Sequence, residues 1–276
     1  MCIGFIKLGK PGDRYKLIVL NNRDEDLNRE TSKLDWNDQK TILGGTDQAD
    51  ECKGTWLAIN KNGKIGMLLS ITQPKNQKMT NCPSRGQICH QYLNTNNSHL
   101  FFETLLKNSQ IFNGFQFVGI ERNEKTGEYS EVLSLANKYV EDVEVIRNYD
   151  SIQVYSNSPT NIPFKKVLRG ENIFEECLAD SENMETFEIF ENLVEQVAKN
   201  KTRHLPDSQI QLQTGYSETM YAPLSSIFVE FPSGLEYGTR CHTVIIIDKF
   251  DKVTVFERRR ENGKWLDEMK EFEIYE

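Results

Sequence analysis

The chain opens Met1-Cys2-Ile3-Gly4-Phe5-Ile6, breaks at Pro11-Gly12-Asp13 and resumes as Tyr15-Lys16-Leu17-Ile18-Val19-Leu20. That second run ends in Asn21-Asn22-Arg23-Asp24-Glu25. Two apolar runs around a Pro-Gly break read as a β-hairpin. Pairing them brings the polar stretch at the far end back beside the chain start, where Cys2 lies. A small second residue normally permits removal of Met1, and Cys2 would then carry a thiol and an α-amine together. Such an amine titrates near pH ~8 and can serve as its own general base, as in N-terminal threonine nucleophiles. A nearby arginine favours the thiolate. The hairpin therefore predicts one site made of Cys2, Arg23 and Asp24. The competing reading is a small buried hydrophobe on an edge strand beside an acidic turn with an Arg–Asp pair.

Further along, Gly54 to Asn60 and Lys64 to Ser70 flank Asn62-Gly63 and predict a second hairpin. Ser84-x-x-Gln87 matches a capping box that opens a helix to about Leu93. Ser98 is expected to cap a second helix with Phe101, Phe102, Leu105 and Leu106 on one face. Strands are expected at Phe115 to Glu121, Glu128 to Leu135 and Ser151 to Ser156. Helices follow at about Pro163 to Leu178 and Met184 to Lys199. The end returns to strands at Ser225 to Phe231, His242 to Asp248, Val253 to Arg258 and Glu271 to Tyr275. Thr243-Val244-Ile245-Ile246-Ile247 is almost wholly apolar, which predicts burial on both faces. Strands, paired helices, strands, paired helices and strands suggest one α+β domain over residues 1–276, with two mostly antiparallel sheets flanked by helix layers.

The 276 residues carry a net charge of −8, which argues against broad attraction to nucleic acid or anionic membrane. No apolar run approaches the ~20 residues of a membrane span. Asp24, Glu25, Asp26 and Glu30 argue against a leader peptide, so the chain is expected to start in the cytosol. The six cysteines include no C-x-x-C pair, and the four histidines fall at no metal-ligand spacing. Free thiols and no structural metal are expected.

Three further groups bear on chemistry. Asn157-Ser158-Pro159 ends a strand before a helix; it is an Asx-capped turn or an amide donor to an oxyanion. Arg240 enters a buried strand and must meet a carboxylate of the protein or an anion of a ligand. Cys82-Pro83 has the short Cys-Pro pattern of some regulatory haem sites, although Pro83 equally suits a helix start.

Met1-Cys2-Ile3, Asn22-Arg23-Asp24-Glu25, Gly54-Thr55-Trp56-Leu57, Asn113-Gly114-Phe115, Ser156-Asn157, Gly238-Thr239-Arg240 and Phe256-Glu257-Arg258 occur in an order that resembles the Transport and Golgi organisation protein 2 family, also called the NRDE-motif family. The resemblance covers nearly the whole chain. That family is in turn similar to cysteine N-terminal nucleophile hydrolases such as penicillin V acylase and bile salt hydrolase, which implies an αββα four-layer sandwich. The resemblance implies catalytic roles for Cys2, Arg23, Asp24, Asn157 and Arg240, and ligand contacts for Asn22, Glu25, Thr55, Trp56 and His242. In one respect the match departs: Arg23 and Asp24 are adjacent, and adjacent strand residues point to opposite faces. Both can face Cys2 only if the chain turns there.

Family members are linked to intracellular haem mobilisation, to acyl-CoA and lipid handling near mitochondria, and to secretory organisation. By resemblance, the expected function is haem trafficking: transient binding and transfer from haem-rich organelles to cytosolic acceptor proteins, in the cytoplasm or beside mitochondria. The alternatives are an acyl-CoA or lipid-metabolite binding protein, and a Cys2-dependent amide hydrolase.

Overall fold

In the computed structural model, which describes residues 1–232 and 234–274, β1 (Ile3–Leu8) and β2 (Tyr15–Asp26) form the expected antiparallel hairpin. Its register pairs Ile3 with Asn22, so the chain start lies beside the Asn-Arg-Asp-Glu stretch. Gly12 turns the hairpin with φ +98°, a conformation that suits glycine.

One sheet runs in sequence order: β3 (Asp35–Trp36), β4 (Ile42–Gly44), β5 (Leu57–Asn60), β6 (Ile65–Leu69), β7 (Gln116–Ile120), β8 (Val132–Ala136) and β9 (Val145–Asn148). The other sheet places β10 (Ile152–Ser156) beside β1 and completes the order β10-β1-β2-β11-β12-β13. Its last three strands are β11 (Tyr237–Asp248), β12 (Lys252–Glu261) and β13 (Lys264–Glu273). Every pairing between these strands is antiparallel.

Three apolar clusters define the layers. Ile6, Leu17 and Val19 of the first hairpin meet Met67, Val118 and Ile120 of the other sheet, so the sheets face each other. On its outer face, the first sheet packs Phe5, Leu20 and Val244 against α3 (Lys165–Cys177) and α4 (Thr186–Asn192), the latter continuing as a π-turn over Leu193–Ala198. The second sheet packs Phe117 and Leu135 against Tyr92 of α1 (Gly86–Asn94) and Phe102 of α2 (Ser98–Asn108). The result is the αββα sandwich. Each fully buried Leu, Ile or Phe contributes roughly 1.5–3 kcal/mol. The central strands β2 and β11 are buried on both faces, which accounts for the apolar run from Thr243 to Ile247. Among the described residues, no helix is long and apolar enough to cross a membrane.

Some local expectations fail for identifiable reasons. Ser225 to Phe231 is not a strand. Its backbone bonds go partly to side chains and partly to loop backbone: Asn22 donates to Ile227 O, Ser226 Oγ donates to Phe228 O and Phe228 N donates to Asn200 O, leaving one bridge between Glu230 and Gly238. Ser84 lies one residue ahead of the cap position of α1, Arg85; its hydroxyl donates to the Asp50 carboxylate and accepts from Gly86 N at 3.3 Å, so the reciprocal bond of a capping box with Gln87 is not made. The cap of α2 is Asn97, whose Oδ1 accepts from Leu100 N at 2.9 Å, with Ser98 already helical. Tyr275, the expected end of the last strand, lies outside the described residues.

Candidate ligand site at the chain start

Strand alternation runs unbroken through the polar end of β2 and sorts its side chains. Asn21 donates to Met67 Sδ on the facing sheet, and Arg23 also points between the sheets, its guanidinium 4.0 Å from the Trp56 ring centre. Asn22 turns to the helix layer and donates to Ala198 O and Ile227 O. Asp24 follows it and accepts from Thr239 Oγ1 at 2.6 Å. Arg23 and Asp24 therefore occupy opposite faces, and no turn intervenes.

The chain start divides the same way. Met1 is buried in the helix-side cluster, with its ammonium 2.9 Å from Asp24 Oδ2 and donating to Tyr237 Oη at 2.9 Å. Cys2 packs on the inter-sheet side with Arg23. Its sulfur accepts from the Asp24 backbone N–H at 3.3 Å and donates to Asp24 O at 3.6 Å. Cys2 thus meets the backbone of Asp24, and Met1 meets its carboxylate. Burial raises the Cys2 thiol pKa, and the neighbouring N-terminal ammonium and Arg23 only partly offset it.

A cleft of about 1010 Å³ opens over this end of the sandwich. Of the residues singled out in the sequence, Cys2, Arg23, Asp24, Glu25, Thr55, Trp56 and Asn157 line it. Thr55 donates to Gly45 O and fixes the loop that carries Trp56. Gly54 is required there, since a Cβ on it would lie 2.5 Å from Gly86 Cα at the start of α1. Asn157 donates one amide proton to Ser70 O at 2.6 Å, and its Oδ1 is buried without a partner.

Three expected site residues are elsewhere. Asn22 and His242 hydrogen-bond each other, Nδ1 to Oδ1 at 2.7 Å, beneath the helix layer, and His242 stacks on Trp265. Burial depresses the His242 pKa to about 3 and keeps the ring neutral. Arg240 sits where the β2–β11 register shifts between Thr239 and Cys241. The shift turns its side chain to the loop after β2, where it donates to Asp26 O at 2.9 Å, Arg29 O at 2.5 Å and Thr31 Oγ1 at 3.3 Å. Its partners are carbonyls rather than a carboxylate, and it is not among the cleft-lining residues.

The cleft also contains residues that the sequence did not single out. Asp47 accepts from Arg29 Nε at 2.8 Å and lies 3.7 Å from Arg23 Nη2, so its charge is largely engaged by Arg29. Arg23 Nη1 is buried with no hydrogen-bond partner. Half-buried Arg85 donates to Gly114 O, and burial lowers its pKa. Lys75 and Lys78 are exposed at the mouth. Cys82, which the sequence did single out for its Cys-Pro pattern, lines the same cleft and accepts from Asn113 Nδ2 at 2.9 Å. Apolar walls come from Trp56, Leu68, Ile71 and Leu224. The arrangement can hold an amphipathic molecule with its anionic groups at the arginines.

Comparison with known proteins identifies relatives of the chain. The sequence profile of the family Transport and Golgi organisation 2 matches residues 1–262. The Transport and Golgi organization 2 homolog of Mus musculus is 28% identical over 284 residues, covering 99% of this chain and 99% of its own. The Homo sapiens homolog is 28% identical over 265 residues, covering 94% of this chain and 92% of its own. The Drosophila melanogaster protein is 29% identical over 271 residues, covering 93% and 91%. Among solved structures, two variants of conjugated bile acid hydrolase from Clostridium perfringens superpose with TM-scores of 0.51 and 0.53 at 11% and 13% identity. Each covers 99% of this chain and 97% of its own, a likeness of fold. The chain belongs to the Transport and Golgi organisation 2 family.

Proposed function

We propose that the cleft binds haem transiently and passes it from haem-rich organelles to cytosolic acceptor proteins. The observation that carries this reading is the buried, unpartnered Nη1 of Arg23, a residue that lines a half-apolar cleft whose Arg85 has no carboxylate partner among the described residues. Buried guanidinium groups with spare donors favour a carboxylate or phosphate, which they bind bidentately. Haem supplies two propionates and a broad apolar face, and Cys82 offers a thiol on the same wall. A carrier must release its cargo, which suits an open cleft without a rigid ligand cage. An acyl-CoA has the same amphipathic chemistry, with phosphates in place of propionates. The test is transfer: the full chain preloaded with haemin should deliver it to apomyoglobin faster than haemin alone partitions. Failure to hold haemin while palmitoyl-CoA saturates the cleft would assign the acyl-CoA reading instead.

A second reading, amide hydrolysis by Cys2, is favoured by the contact of Cys2 Sγ with the Asp24 N–H and by Arg23 and Asn157 lining the same cleft. With Met1 in place, the Cys2 nitrogen is part of a peptide bond and burial holds the thiol protonated. This chemistry therefore requires Met1 to be removed. Intact mass spectrometry decides that condition, and iodoacetamide at mildly acidic pH should then label Cys2 ahead of the other cysteines.

A further inference from the structure

Lys166, the second residue of α3, is fully buried, which is unusual for a lysine. Its ammonium donates to Met1 O at 2.8 Å and to Ser226 O at 3.1 Å, with no carboxylate bonded to it. The titratable groups that act on it include Asp24 from β2, the Cys2 thiol at the chain start, Asp207 ahead of α5 (Ser208–Thr214) and His204. Peptide geometry puts a carbonyl oxygen roughly 2.3 Å from the following nitrogen. Lys166 Nζ is therefore within about 5 Å of the Cys2 nitrogen.

We propose that Lys166 is a positioning residue of the Cys2 site: once Met1 is gone, its side chain faces the new α-amine and keeps that amine unprotonated, ready to take the thiol proton. The inference rests on the second reading above. Asp24, whose carboxylate lies 2.9 Å from the Met1 ammonium, would favour the charged form of the Cys2 amine. Lys166, while charged, offsets that field from about 5 Å and lowers the basicity of the amine, and burial in turn lowers its own pKa. A general base works best when its pKa lies near the working pH. In the resulting step, the Cys2 thiol proton passes to the amine as sulfur bonds to the substrate amide carbon. The ammonium then returns the proton to the departing amine as the C–N bond breaks, and water later cleaves the thioester.

The experiment follows the α-amine. In the unaltered chain freed of Met1, acylation of the Cys2 amine is measured against pH by mass spectrometry. The amine should titrate below the ~8 of an ordinary α-amine. Lys166→Met should raise that midpoint by a unit or more, and Lys166→Arg should keep it low. A midpoint at or above 8 in the unaltered chain overturns the role of Lys166, even if neither variant folds. An unchanged midpoint in Lys166→Met overturns it too. Either result leaves Cys2 hydrolysis standing if amide cleavage is still seen. A mature chain that retains Met1 removes both ideas together.

Discussion

The ammonium of Met1 lies 2.9 Å from Asp24 Oδ2, with Met1 3% exposed and the Asp24 side chain fully buried. Removing one partner of such a pair leaves a buried charge unmatched. Asp24→Asn should therefore cost about 3–5 kcal/mol in a chain that keeps Met1. Urea denaturation midpoints measure it. A loss under about 1 kcal/mol, the scale of an exposed pair, would mean that the terminus is hydrated.

His242 supplies a pH signature. Its folded pKa of about 3 lies below the ordinary 6.5, because burial disfavours the charged ring. Between those values the unfolded chain binds a proton that the folded chain does not, so stability falls as the medium is acidified. One such group contributes about 1.4 kcal/mol per pH unit in that window. His242→Gln should remove this increment from the acid side of the stability curve. Parallel curves from pH 6 to pH 4 for both proteins would contradict it.

Arg240 should behave as scaffold. It holds the loop after β2 through Asp26 O, Arg29 O and Thr31 Oγ1. Lysine keeps the charge but loses the planar fork. Arg240→Lys is expected to lower stability by about 1–3 kcal/mol and to leave ligand affinity within twofold. A tenfold loss of affinity at unchanged melting temperature would place Arg240 at the ligand instead.

The sequence makes the layers legible because the pattern is local: Pro11-Gly12 and Asn62-Gly63 mark turns, and flanking apolar runs pair across them. Cys2, Arg23 and Asp24 are legible as neighbours for the same reason, since hairpin pairing alone returns residue 22 to residue 3, whereas Asn157 arrives through the long-range pairing of β10 with β1 and only the family resemblance points to it. Arg240 is misread because a one-residue register shift between Thr239 and Cys241 sends it to another loop, and no residue type announces that shift. His242 and Asn22 lie away from the cleft because their burial depends on the loop over Ile227, whose backbone Asn22 satisfies. Lys166 reads as a solvated helix residue. Its one signal is helical spacing, four residues before Gly170 and eight before Phe174, on the buried face.

The most direct measurement is an equilibrium titration of the full chain with haemin, followed at the Soret band, beside Arg23→Gln and Arg240→Lys. The account predicts saturable one-to-one binding at micromolar haemin. Arg23→Gln should weaken it at least tenfold, because the variant removes the guanidinium of a buried residue that lines the cleft. Arg240→Lys should bind like the unaltered chain. No saturable binding, or equal binding by the unaltered chain and Arg23→Gln, would contradict the assignment of the cleft.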